Sequence, residues 1–267
     1  MKRLGVNLFV LLACAVLVGL TSAPAYAVDG VVLINQNTAT SGLPGCGSSG
    51  FPIVICQPGS YKLSGNLVVI GTTDAIEINA DNVTLDLGGF NIGGPNSCTG
   101  APVTSCTGGS SGSGISISGN SVTVKNGSVR GMNTGVFSNG EATLVEDLQS
   151  SQNAGNGIGI RTGTIRHSLA AFNGAGGIVI ASGVVEGNVS EYNQVGGIEI
   201  GFDSTTSTDG VTILGNSIVR NGGFGLYAQY CLYGSNILKL NGLGSVAIVP
   251  GGDVTSQKNN SCDGSSC

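Results

Sequence analysis

Five residues able to carry acid–base chemistry fall in three successive stretches of the chain: Glu146 and Asp147 in "VEDL", Arg166 and His167 in "RHSL", and Glu186 in "EGNV". Carboxylates beside a guanidinium and an imidazole can shuttle a proton or hold a cation. His167 is the one histidine present, and imidazole is the side chain that titrates nearest neutral pH. Aligned by these stretches, Glu146 falls beside His167 and Arg166 beside Glu186, with Asp147 in the next column. A carboxylate neighbour would fix the imidazole tautomer or raise its pKa. The plainer reading is a ladder of compensating charges between neighbouring strands, each exposed pair worth a fraction of a kcal/mol. A second candidate is aromatic. Tyr227, Tyr230 and Tyr233 lie close together, and Phe172 and Tyr192 occupy equivalent places in adjacent periods. Such rings serve as a sugar-stacking platform or as packing.

What positions these groups is a repeat. The phrase glycine–aliphatic–x–aliphatic occurs as "GISI" at 114, "GVFS" at 135, "GIGI" at 157, "GIVI" at 177, "GIEI" at 197 and "GLYA" at 225, with "SVAI" at 245. Most steps are 20 to 22 residues, and the longer step to Gly225 holds the polar insertion "GFDSTTSTDG". Each period adds a second aliphatic stretch ("SVTV", "ATLV", "GTI", "GVV", "VTIL") and a third short element. It then closes on Asn133, Asn153, Asn173, Asn193, Asn221 or Asn241. The apolar period is two rather than 3.6, and glycine every few residues is costly in a helix. Three short strands per period cannot bury an apolar face alone, but stacked periods can. The repeat therefore predicts an all-β, single-stranded parallel β-helix. The closing asparagines suit left-handed corners, where their amides can stack in a hydrogen-bonded ladder.

The stretches "AIEINADNVTLDLGGFNI", "VEGNVSEYNQVGGIEI" and "LGNSIVRNGGFGLYA" resemble the right-handed parallel β-helix repeats of the pectin-lyase-like superfamily, over roughly residues 54–249. That resemblance implies a fold rather than one activity, since the superfamily holds polysaccharide lyases, glycoside hydrolases and C5-epimerases beside phage tailspikes, adhesins and exported proteins without assigned activity. Its enzymes work on the outer face of one sheet, with calcium-binding carboxylates and an Arg or Lys base, or with clustered aspartates, Gly-His-Gly and Arg-x-Lys. The outward column that "GIVI" defines here runs Glu77, Ser116, Phe137, Gly159, Val179, Glu199, Tyr227, Ala247. Its two glutamates stand about five rungs, or roughly 24 Å, apart. Glycosidase carboxylate pairs need about 5–10 Å. Gly-His-Gly and Arg-x-Lys are also missing, which argues against that hydrolase chemistry.

Bulk properties set the remaining expectations. Lys2 and Arg3, an apolar run and Ala25-Tyr26-Ala27 predict an export signal over 1–27, cleaved after Ala27, with no membrane span afterwards. Residues 28–74 read as an N-terminal cap and entry strands, 75–249 as the coils and 250–267 as a polar, cysteine-containing tail. An oxidising compartment lets Cys46 pair with Cys56, Cys98 with Cys106 and Cys262 with Cys267, leaving Cys231 over. One histidine and no Cys-x-x-Cys argue against a metal site. No cofactor is expected, calcium entering only with lyase-like chemistry. A net charge of −5 without basic runs argues against nucleic acid. "GNGIGIRTG" lacks dinucleotide-binding spacing. Together these point to a secreted, periplasmic or cell-surface scaffold, non-catalytic, that binds polysaccharide or a surface partner. The alternatives are a lyase or epimerase using the Glu146–Glu186 patch, and a structural or adhesive module.

Overall fold

Alternate residues of a strand face opposite sides, so a chain with apolar residues at every second position must close those positions inward. The computed structural model, which describes residues 30–47, 49–201, 210–250, 252–264 and 267, shows how. The expected signal at 1–27 lies outside these residues. The described chain is all-β, winding through about ten right-handed coils of three short strands each. Every strand pairs in parallel with its counterpart one coil away, apart from one antiparallel hairpin.

The first stack carries the glycine–aliphatic phrase. Ile76, Ile115, Val136, Ile158, Ile178, Ile198 and Leu226 sit in one register column, and all are fully buried. Burying each such side chain contributes about 1.5–3 kcal/mol, so the column fixes which face points inward. The glycine before each phrase has a packing reason. A Cβ on Gly177 would lie 2.1 Å from Ser190 Oγ and 2.6 Å from Asn193 Nδ2. The gap it leaves admits the polar groups that hold the corner of the same coil.

Coiling extends beyond the stretch expected at 75–249. Val32–Ile34 pairs with Gly59–Leu63, and Ile53–Ile55 with Ile76–Ile78. At the other end Val254–Ser256 and Ser261–Cys262 add strands to the last coils. A short helix, α1 (Gln36–Ser41), begins at Asn35, whose side chain accepts a hydrogen bond from the Asn37 amide. Its Ala39 is buried in the same apolar cluster as Ile53.

The asparagine ladder is present, shifted at one end. Nδ2 of Asn153 donates to Oδ1 of Asn173, Asn173 to Asn193, Asn193 to Asn221 and Asn221 to Asn241, at 2.9–3.0 Å. Asn133 is not a member. The amide of buried Met132 donates to Asn153 Oδ1, so Met132 holds that corner and Asn133 lies one residue past it. A second ladder joins Asn188, Asn216, Asn236 and Asn260 at the corner between the second and third stacks. The three cystines pair Cys46–Cys56, Cys98–Cys106 and Cys262–Cys267. The Cys98–Cys106 bridge closes the antiparallel hairpin of Ser97–Gly100 and Val103–Thr107. This hairpin lies along the stack: Cys98 Sγ meets the Asn153 carbonyl, and the Val103 amide donates to the Tyr192 carbonyl.

Candidate functional site

The second stack positions the five candidate residues, and its register corrects the alignment of the sequence. Glu146 pairs with Arg166 and Arg166 with Glu186. His167 therefore follows Arg166 into the next column, beside Asp147 rather than Glu146. The coil from 146 to 166 takes 20 residues because Gly163 packs directly onto Thr143. A Cβ there would lie 1.9 Å from the Thr143 carbonyl oxygen, and its φ of +140° also favours glycine.

Following that register outward reveals a longer array. Lys62 pairs with Asp86, Asp86 with Lys125, Lys125 with Glu146, Glu146 with Arg166 and Arg166 with Glu186. Six consecutive rungs thus alternate in sign. Arg166 donates through Nε and Nη2 to Glu146 Oε2 at 2.9 and 2.6 Å. That hydrogen bond, with the charge of Glu146, raises the guanidinium pKa above its ordinary value. Lys62 Nζ lies 3.8 Å from Asp86. The sequence alone hid Lys62, Asp86 and Lys125 from this set, because the disulfide hairpin interrupts the period between Asp86 and Lys125.

Beside the column runs a left-handed corner. Asn126, Asp147 and His167 adopt φ of 59°, 52° and 50°, and Gly187 follows at 64°. Asp147 and His167 are both exposed, and the imidazole lies against the Gly187 corner. An open groove of about 530 Å³ adjoins the lower end, lined by Lys62, Asp86, Asn126, Ser128, Asp147 and Gln149. The structure brings all five candidates to one corner, with the ionic partners strung along an axis rather than converging on a point. Among the described residues no group of three or more His, Cys, Asp or Glu could hold a metal ion.

The tyrosines separate. Tyr227 and Tyr230 are 42% and 40% exposed, whereas Tyr233 is 3% exposed and lies in the core, so it is unavailable to a surface ligand. Alternation explains it: Ile213 pairs with Tyr233 on the inward side of the second stack. Phe172 and Tyr192 stack with centroids 4.9 Å apart, Arg220 lies 5.8 Å from the Tyr192 ring, and both stacked rings are half-buried. The outward column of the first stack has the expected membership, Glu77 through Ala247. In it Glu199 stands between Val179 and Tyr227, and burial raises its carboxyl pKa while the Gly196 amide opposes the shift. Cys231 is the free cysteine among the described residues; burial pushes its thiol up to about 11. No described helix is long and apolar enough to cross a membrane.

A family model described as "Right handed beta helix region" matches residues 113–261. Among solved structures, the A-module of the Azotobacter vinelandii mannuronan C-5 epimerase AlgE4 superposes with a TM-score of 0.62 at 15% identity. That superposition covers 86% of this chain and 67% of the module. The A-module of the epimerase AlgE6 from the same organism gives 0.54 at 15% identity, over 86% and 66%. At that identity the likeness is one of fold. No curated protein matches the sequence.

Proposed function

This chain belongs to the right-handed β-helix family, and from that premise we propose an exported scaffold that binds polysaccharide on its outer faces without transforming it. One observation carries the reading. Two tyrosine rings, Tyr227 and Tyr230, stand exposed on one coil of a chain that has no tryptophan. Stacking on such rings is a common way to hold a sugar. The pairing of Arg166 with Glu146 supports the non-catalytic part, since a guanidinium engaged at 2.6 Å is a poor proton acceptor. Three cystines and the basic–apolar start at Lys2–Leu20 support export to a periplasmic or extracellular compartment.

A second reading has its own observation: Asp147 and His167 stand exposed in neighbouring left-handed corner positions beside Arg166. That is a fit arrangement for proton transfer in a lyase or epimerase, with calcium as an added requirement. One experiment separates the two. Purified protein is screened on a glycan array and assayed for unsaturated or epimerised product on acidic and neutral polysaccharides, with and without Ca²⁺. Binding that falls roughly ten-fold or more in Tyr227→Ala, without product, supports the scaffold. Product formation lost in His167→Ala supports the enzyme and overturns the first reading.

A further inference from the structure

The charged column has a symmetry that no single molecule uses. Read along the axis through consecutive registers, it runs Leu33, Lys62, Asp86, Lys125, Glu146, Arg166, Glu186, Leu214. All are outward-facing members of the second stack. Leu33 is 58% exposed, an apolar side chain left in solvent at the foot of the ladder. A two-fold axis along the strand direction, through the midpoint between Lys125 and Glu146, would turn the column end for end against a second copy. Lys62 would then face Glu186, Asp86 would face Arg166 and Lys125 would face Glu146. At the ends Leu33 would face Leu214. Every charge meets its opposite and each leucine meets a leucine.

The match depends on there being an even number of alternating charges, so it is easily lost. Slide one copy by one rung and five of the six charges face a like charge, while the sixth faces a leucine. Lay the copies parallel in register and every charge faces its like. Like charges in direct opposition cost binding, and complementary ones fix register. The neighbouring outward column, Ser60, Thr84, Thr123, Leu144, Thr164, Val184, adds no charge to oppose this. A two-fold contact uses the same patch on both subunits and needs such self-complementarity.

We propose that this face of the second stack is an antiparallel homodimer interface, its register set by the six-charge ladder and closed at each end by Leu33 against Leu214 of the other copy. The interface is independent of glycan binding: Tyr227 pairs with Glu199 in the first stack, off this column.

The test is a charge swap read by sedimentation velocity over a concentration series of the purified chain. Wild type is expected to dimerise, with a dissociation constant that rises with salt. Lys62→Glu and Glu186→Lys, singly, should each weaken the dimer roughly ten-fold or more. The double variant should return to within a few-fold of wild type. Lys62 and Glu186 stand five rungs apart, roughly 24 Å, so no contact within one chain can supply that rescue. Within a chain each reversal sets like charges side by side, so intramolecular effects alone would make the double variant the worst of the three. A double variant worse than both singles overturns the proposal, as does a wild type monomeric at every concentration. Should a charge variant fail to fold, Leu33→Cys with Leu214→Cys provides a second readout. These positions lie about seven rungs apart in one chain, roughly 34 Å, so mild oxidation should cross-link two chains end to end. Absence of covalent dimer above the wild-type background overturns the proposal.

Discussion

The corner between the second and third stacks is built in two ways. In the lower coils it is lined by exposed or half-exposed charges, Lys62 to Glu186. In the upper coils it is closed by Asn188, Asn216 and Asn236, each 1% exposed and joined by side-chain amides. The handover is local: the Ser168 amide, two residues past Arg166, donates to Asn188 Oδ1. The same backbone turn is thus held from outside by ion pairs and from inside by amides. Water competes for the first set and cannot reach the second. An exposed ion pair is worth about 0–1 kcal/mol, whereas stranding a buried polar group costs about 1–3 kcal/mol.

The buried amides should carry the larger share of the stability. Asn216 Nδ2 donates to the carbonyls of Val185 and Leu214 and to Asn236 Oδ1, while its own Oδ1 accepts from both nitrogens of Asn188. Asn216→Ala strands several of these groups at once. It should destabilise the fold by about 3 kcal/mol, with little change between low and high salt in urea denaturation. A loss below about 1 kcal/mol would mean that water enters the corner and that the two halves are alike. On the outside, Arg166→Ala removes the best ionic contact of the ladder, yet its loss should be much smaller. That loss should vanish as salt approaches roughly 1 M, where screening acts over only about 3 Å. A salt-independent loss equal to that of Asn216→Ala would place the Arg166–Glu146 pair in the same energetic class as the amides.

Legibility in the sequence followed the same divide. The repeat and its parallel stacking could be read because Ile158, Ile178 and Ile198 recur at an unbroken step, and a column of identical apolar side chains admits one register. The first-stack outward column came with it. The second stack was harder. "RTGTIRH" and "TLVEDL" offer two alignments one residue apart, and the decision rests on backbone: Gly163 closes onto Thr143 where no other residue fits. Phase was also ambiguous in the third stack. Leu169 and Val189 are conspicuous in the sequence, but Val189 is 37% exposed, while Ala170 and Ser190 occupy the core. Ser190 can do so because its hydroxyl donates to the Gly197 carbonyl, where the next coil begins. That partner is seven residues away and invisible to a two-residue pattern. The second asparagine ladder did leave a signal, in "EGN", "LGN" and "GSN", each with a left-handed residue before the asparagine.

Glu199 sharpens the contrast, being a carboxylate outside both ladders. Its neighbours in the column are Val179 and Tyr227 instead of cations, and one contact is the amide of Gly196 at 3.2 Å. Burial therefore governs it and raises its pKa above the ordinary carboxylate value. The sign follows from which form the folded state prefers. A raised folded pKa means the folded chain binds the proton more tightly than the unfolded chain does. The stability so contributed is complete below the unfolded pKa and is lost as pH rises through the folded one. Glu199→Gln keeps the shape and removes the titration. Its stability relative to wild type should rise with pH from about 4 upward and level off once the folded carboxyl has ionised. Among these substitutions this effect should be the smallest. Tyr227 tests its local origin, since it covers the next rung of the column. Tyr227→Ala should admit water to the carboxyl, bring its pKa back toward the unfolded value and flatten the difference between Glu199 and Gln. An unchanged difference would assign the burial of Glu199 to the coil beneath it, where Gly176 and Gly196 lie against its side chain.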